Sequence, residues 1–212
     1  MMILALGSNV SGNWGCPIAT LRQVISRLYI ENIQVTGVAS LYRTRAMGSI
    51  RQPDYMNTVL TAKCTLSPRK ILVAAKQLER QAGRRPRLKW GPRPLDIDII
   101  DKNGQVISWT RRTGLKGTET LQSDIRRLGS CARKVKLPGQ RPNIVLPHPE
   151  AHLRNFVLAP LAEIAPHWRH PVYQVSAARL LERFCTTPIK IHRVLDSGWH
   201  LCNKNYLPVT NR

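Results

Sequence analysis

Apolar side chains follow two different periods along this chain, and the places where one period gives way to the other outline a series of elements. Met2 to Leu6 is a continuous apolar run that ends in Gly7-Ser8-Asn9, which predicts a buried strand entering a turn. Ile18, Leu21, Val24, Ile25 and Leu28 recur at helical spacing, so residues 17–29 are expected to form an amphipathic helix. Ile33 to Leu41 and Met56 to Lys63 alternate and are rich in β-branched residues, the pattern of strands. Ser67-Pro68 supplies an N-cap hydroxyl and a proline at the first helical position. The helix it starts has Ile71, Leu72, Ala75, Leu78 and Ala82 as its apolar stripe and Gly83 as its stop. Leu95 to Ile100 completes the series as another strand. Strand, helix, strand, strand, helix, strand is the βαββαβ order of a ferredoxin-like α+β sandwich, in which helices pack on one face of an antiparallel sheet.

From Trp109 to about residue 142 neither period persists. Residues 111–143 hold nine Lys/Arg against Glu119 and Asp124, a balance of 9 − 2 = +7, and predict a flexible basic insertion. Order is expected to return at Ile144, with a buried element over Asn155 to Ala165 and a last helix over Val175 to Phe184. The expected organisation is one domain over residues 1–186, interrupted at 111–143, and a weakly structured C-terminal tail over 187–212.

Composition narrows the function. The 212 residues suffice for one sizeable core, and 42% hydrophobic residues argue against wholesale disorder. No apolar run approaches the roughly 18 residues of a membrane helix, and neither a membrane partner nor a signal peptide is expected. The cysteines (Cys16, Cys64, Cys131, Cys185 and Cys202) are odd in number and widely spaced, which favours reduced thiols in a cytoplasm. A formal net charge of +21 implies anionic partners, either nucleic acid or phosphorylated small molecules.

The segment that separates these alternatives runs from Gly83 to Ile100. On a strand, Leu95, Ile97 and Ile99 share one face, while Asp96 and Asp98 share the other, about 7 Å apart by strand rise. Two like charges at that spacing suit a divalent cation, and Mg²⁺ prefers one or two carboxylates together with phosphates and water. The plain alternative is a half-buried strand showing two acids to solvent. Arg84, Arg85, Arg87, Lys89 and Arg93 lie directly before the pair. Cations for phosphate oxygens beside carboxylates for a metal are the components of a phosphoryl-transfer site. There is no P-loop and no G-x-G-x-x-G, so side chains and metal must hold the phosphates.

Other candidates stand out singly. Glu79 sits in the last helical turn, where the macrodipole favours cations, and reads either as a solvated acid neutralised by Arg80 and Arg84 or as an acceptor for nucleotide hydroxyl or amino groups. Asn57 offers a donor and an acceptor together, which suits the edge of a flat heterocycle, and Tyr55 and Trp90 offer flat surfaces. His148 and His152 are four apart, but Pro149 stands where the helical zinc motif needs Glu, which argues against a zinc pair. A single histidine on phosphate fits better.

Taken together, Gly7-Ser8-Asn9, Leu41-Tyr42-Arg43-Thr44, Gln52-Pro53-Asp54-Tyr55-Met56-Asn57, Trp90-Gly-Pro-Arg93-Pro-Leu-Asp96-Ile-Asp98 and Leu146-Pro147-His148-Pro149 with Arg154-Asn-Phe156 resemble the 6-hydroxymethyl-7,8-dihydropterin pyrophosphokinase family in order and spacing. The resemblance covers about residues 2–110 and 144–166. It implies transfer of pyrophosphate from ATP to 6-hydroxymethyl-7,8-dihydropterin in folate biosynthesis, with AMP released and two Mg²⁺ ions as cofactors. It implies Asp96 and Asp98 as metal ligands, and Arg84 and Arg93 with them as catalytic residues. ATP would meet Glu79, Arg84, Trp90, Arg93, Ile99, His148 and Arg154. The pterin would meet Thr44, Tyr55, Asn57, Trp90, Asp96 and Phe156. A neighbouring folate enzyme is a further partner to consider. The chain departs from the family pattern at Lys76, at Arg45-Ala46, at Pro149, and at Pro86, where Arg85 or Arg87 would have to take over an arginine's role. A basic nucleic-acid-binding module of the same fold would also explain the charge, but with 6% aromatic residues the sheet lacks the stacking surface such modules use. A paralogue that binds nucleotide without turnover is the other rival, and the departures keep it in play.

Overall fold

A computed structural model describes residues 1–46, 52–85, 91–109, 144–182, 191–194 and 199. Its elements are β1 (Met2–Ser8), α1 (Pro17–Leu28), β2 (Gln34–Val38), β3 (Leu41–Thr44), β4 (Tyr55–Lys63), α2 (Pro68–Gln81), β5 (Asp96–Lys102), a 3-10 turn (Ala151–Leu153), α3 (Asn155–Ile164), α4 (Ala177–Glu182) and β6 (Ile191–Val194). The sheet runs β5-β1-β4-β3-β6 with β2 also on β4, and every pairing is antiparallel. The protein is therefore a mixed α/β molecule built on an antiparallel sheet. No described helix is long and apolar enough to cross a membrane.

Both long helices form where local chemistry favours them. Pro17 and Pro68 each occupy a first helical position, and the Ser67 hydroxyl accepts from the Lys70 N–H at 3.4 Å. The α2 stripe ends at Gly83, whose φ of +98° is open to glycine at little cost. Leu21, Val24, Ile25 and Leu28 of α1 join Ile71, Ala75 and Leu78 of α2 in one buried cluster. That cluster lies on the Leu4, Leu6, Ile97 and Ile99 side of the sheet.

The opposite face departs from expectation. Helices were expected on one face only, but α3 packs across β4 and β3 on the other. Val157 and Leu161 of α3 bury Ile3, Val59 and Ile100, with Trp168 completing the patch. The reason is parity. Ile3 and Ile100 point away from α1 and α2, so they need a second apolar cover.

The strand expected over Ile33 to Leu41 is two strands. The register shifts between Val35 and Gly37, and the Ser40 N–H leaves the ladder for the Glu163 carboxylate of α3 at 3.2 Å. The tail expected to be weakly structured contributes β6, which pairs Leu41–Thr44 with Ile191–Val194, and Trp199, which is buried and donates to the Ala39 carbonyl at 2.8 Å. An exposed edge strand is a liability, and β6 covers the edge of β3. The basic insertion at 111–143 lies outside the described residues.

Candidate active site

The part of the second sheet face that α3 leaves uncovered opens into a cavity of about 570 Å³. Strand alternation supplies its floor. Ala5 and Gly7 of β1, Asn57 of β4, and Asp96 and Asp98 of β5 all line it, while their neighbours Leu4, Leu6, Ile97 and Ile99 are committed to the helical core. Thr44, Tyr55, Arg93, His148, Arg154 and Phe156, also among the expected residues, line it too. Asp96 and Asp98 thus share one side of their strand, as their spacing predicts.

Asp96 is the most constrained group. Arg84 donates to one carboxylate oxygen and Arg93 to the other, each at 2.6 Å. Burial by itself would raise the proton affinity of Asp96, but Arg93 and Arg84 outweigh it and hold the carboxyl below its ordinary value. Asp98 is held more loosely, by Arg154 at 3.3 Å and by His148 Nε2 at 3.7 Å. His148 Nδ1 accepts the Glu150 N–H at 3.2 Å, which leaves Nε2 to carry the proton toward Asp98. Burial lowers the proton affinity of this imidazole against the opposing pull of Asp98.

The elements that deliver these groups are distant in sequence. The His148 N–H donates to the Ile100 carbonyl at 2.9 Å, and Leu146 bridges to Ile107, so this segment lies along β5 and brings His148 to Asp98. Arg154 immediately precedes α3, bonds Glu150 at 2.7 Å and stands over the Phe156 ring at 5.7 Å. Asn57 is buried and donates to the Thr44 hydroxyl at 2.8 Å, which fixes its carboxamide across the β4–β3 pair. Burial raises the proton affinity of the Tyr55 phenolate, so the hydroxyl stays protonated.

Two of the expected contacts are placed elsewhere. Glu79 does not line the cavity. Its side chain is 3% exposed; it accepts the Ile97 N–H at 3.0 Å and pairs with Arg84 at 2.7 Å and Lys76 at 2.8 Å. It therefore fastens α2 to β5 and holds Arg84 from behind. Burial raises the proton affinity of Glu79, and these cationic and amide partners pull against it. Ile99 points into the helical core. Trp90, Arg87 and Pro86 lie outside the described residues. Of the departures from the family pattern, Lys76 is the partner of Glu79, while Arg45 and Pro149 line the cavity.

Three supporting residues carried no assigned role in the sequence. Asn9, Gln52 and Glu150 orient the cavity's side chains, but each acts on a partner far along the chain or across a turn, where periodicity carries no signal. The marks that the sequence offered were the Gly7-Ser8-Asn9 string after an apolar strand and the Gln52-Pro53-Asp54 turn before Tyr55.

The donor set suits a hard divalent cation. Asp96 and Asp98 offer oxygen from one strand face, with cationic groups around them to receive phosphates. Among the described residues no group of three or more His, Cys, Asp or Glu could hold a metal by itself, so substrate or water would supply the remaining ligands.

A family model described as 7,8-dihydro-6-hydroxymethylpterin-pyrophosphokinase (HPPK) matches residues 3–166. A 2-amino-4-hydroxy-6-hydroxymethyldihydropteridine pyrophosphokinase of Aquifex aeolicus (strain VF5) is 32% identical over 171 residues, which covers 81% of this chain and 84% of that protein. Its namesake in Synechocystis sp. (strain ATCC 27184 / PCC 6803 / Kazusa) is 32% identical over 194 residues, covering 91% and 83%. A crystal structure of a Plasmodium falciparum HPPK-DHPS triple mutant with SDX-DHP superposes with a TM-score of 0.57 at 13% identity, over 91% of this chain and 44% of that one. That likeness concerns the fold, and this chain spans less than half of that longer protein. The matched span contains every cavity side chain described above, and the chain belongs to the HPPK family.

Proposed function

We propose that the cavity brings Mg-ATP and 6-hydroxymethyl-7,8-dihydropterin together, with Asp96 and Asp98 as the ligands of two Mg²⁺ ions. The chain transfers pyrophosphate from ATP to the pterin hydroxymethyl group, in the folate pathway, as a family member does. The observation that carries the site assignment is the placement of Asp96, Asp98, Arg84 and Arg93 around one face of β5.

The hydroxymethyl oxygen attacks the β-phosphorus of ATP. The bond from that phosphorus to the bridging oxygen breaks, and AMP leaves. Most of the acceleration comes from positioning two substrates and stabilising charge on the transferring group. Arg84 and Arg93 can exchange Asp96 for phosphate oxygens, since a guanidinium binds carboxylate and phosphate with similar geometry. Asp96 and Asp98 are then left to hold the cations, which would supply charge neutralisation at the phosphates. Arg154 and His148 flank Asp98 and are read as ATP contacts. Glu79 contributes by holding Arg84. Asn57 and Thr44 present a fixed pair of hydrogen-bonding groups for the pterin edge, with Tyr55 and Phe156 as its apolar walls. Arg45 gives one wall of that pocket a positive charge.

Asp96 is a weak base because two arginines stabilise its ionised form. The proton of the attacking hydroxyl is therefore not assigned to it. The order of strands and helices supports reading the core as a ferredoxin-like sandwich. Relatives named folate synthesis bifunctional protein hold this unit within longer chains, of which it covers 25% in Pisum sativum, and this supports a neighbouring folate enzyme as partner. A cytoplasmic setting would supply the ATP.

An AMP-release assay with ATP, Mg²⁺ and the reduced pterin tests the reading. Pterin-dependent AMP from the wild type is expected. Asp96→Ala and Asp98→Ala should each lose nearly all of it while keeping a cooperative melt. A wild type that releases no AMP when the pterin is added defeats the proposal.

A further inference from the structure

We propose that Asn9 is a positioning residue that couples the pterin half of the site to the phosphate half. The inference rests on the functional reading above. Asn9 follows the last residue of β1 and is 2% exposed. Its backbone N–H donates to the Arg93 carbonyl at 3.1 Å, and its Oδ1 accepts the Arg93 N–H at 2.7 Å. Arg93 is thereby pinned through both backbone groups, and its guanidinium reaches Asp96 at 2.6 Å. The Asn9 Nδ2 turns the other way and donates to Gln52 Oε1 at 3.0 Å and to the Pro53 carbonyl at 3.2 Å. Gln52 lines the cavity, and Pro53 lies two residues before Tyr55, which lines it too.

Topology explains why this residue can serve both halves. In the sheet, β1 lies between β5 and β4. The segment entering β5 carries Arg93, and the segment entering β4 carries Gln52 and Tyr55. The end of β1 is the point from which one short side chain reaches both. The side chain must accept on one side and donate on the other, which a carboxamide does and a carboxylate or alanine does not. A shift of Arg93 toward phosphate then pulls on the lead-in to Tyr55, and a shift at Tyr55 pulls on Arg93. Such coupling is reciprocal by thermodynamic necessity.

The test measures binding and turnover separately. Calorimetry follows a non-hydrolysable ATP analogue with Mg²⁺, oxidised 6-hydroxymethylpterin, and each in the presence of the other. In the wild type each ligand should tighten the other by the same factor, about five-fold or more. Asn9→Ala should bring that factor close to one and lower kcat about ten-fold or more, with smaller changes in KM. Gln52→Ala removes Asn9's side-chain partner on the pterin side. It should weaken the coupling, with a smaller change in the binding of the ATP analogue alone. A folded Asn9→Ala with wild-type coupling and kcat overturns the proposal, as does a wild type without coupling. If Asn9→Ala fails to fold, wild-type coupling in Gln52→Ala overturns it. A wild type that binds both ligands cooperatively but releases no AMP defeats the functional reading and not this one.

Discussion

The two faces of the central sheet are made by alternate residues of the same strands, yet they do different work. On the α1 and α2 side, Leu4, Leu6, Ile97 and Ile99 form a continuous apolar floor. On the other side the same strands present Ala5, Gly7, Asp96 and Asp98 to the cavity. The first face depends on volume and burial. The second depends on charges that compensate one another, with each of the Asp96 oxygens held by its own arginine. A substitution on one face should therefore be felt as lost stability, and on the other as lost chemistry with stability nearly intact.

That contrast can be broken in order of expected effect. Arg93→Ala removes the guanidinium that holds one Asp96 oxygen and that the proposed function turns toward phosphate; it should lower kcat about 10²–10³-fold, measured by AMP release, with a melting profile close to wild type. Ile97→Ala, next along the chain from Asp96 but facing the helices, should cost about 2–5 kcal/mol in urea denaturation while KM for both substrates stays unchanged. Gly7→Ala probes the boundary between the two faces. A methyl group there would come within 3.1 Å of Asn57 Oδ1, so the Asn57 carboxamide must yield. A cost of about 1–3 kcal/mol should appear as a rise of about five-fold to a hundred-fold in pterin KM with a smaller change in ATP KM.

The smallest effect is a pH dependence behind the cavity. His170 is fully buried among Trp109, Trp168, Tyr173 and His152, and burial followed by the neighbouring His152 lowers its proton affinity well below the ordinary value. The folded state then binds fewer protons than the unfolded chain, so stability is full above pH about 6.5 and declines as pH falls from there. Urea midpoints between pH 7.5 and 5 should show this decline, and His170→Leu should flatten it.

The core and the carboxylate pair were legible because both follow local periods. Ile71, Ala75 and Leu78 mark a helix face, and Asp96 and Asp98 mark a strand face, whatever the rest of the chain does. The break between β2 and β3 was not legible. It depends on Glu163, more than a hundred residues away, taking the Ser40 N–H. Nor was the role of Glu79, since an acid in a last helical turn reads as a solvated group or as a nucleotide acceptor until β5 supplies the Ile97 N–H and Arg84 closes over it.

By itself, the sequence determined which residues alternate, where helices start and stop, and that two carboxylates face one way beside a run of arginines, because these depend on neighbours within a few positions. The tertiary structure alone decided that α3 covers part of the second face, that β6 closes the edge of β3, and that Asn9 stands between Arg93 and Pro53. Those outcomes depend on which distant segments meet, and hydrogen-bonding groups at the end of one strand choose partners only after the sheet has placed its neighbours.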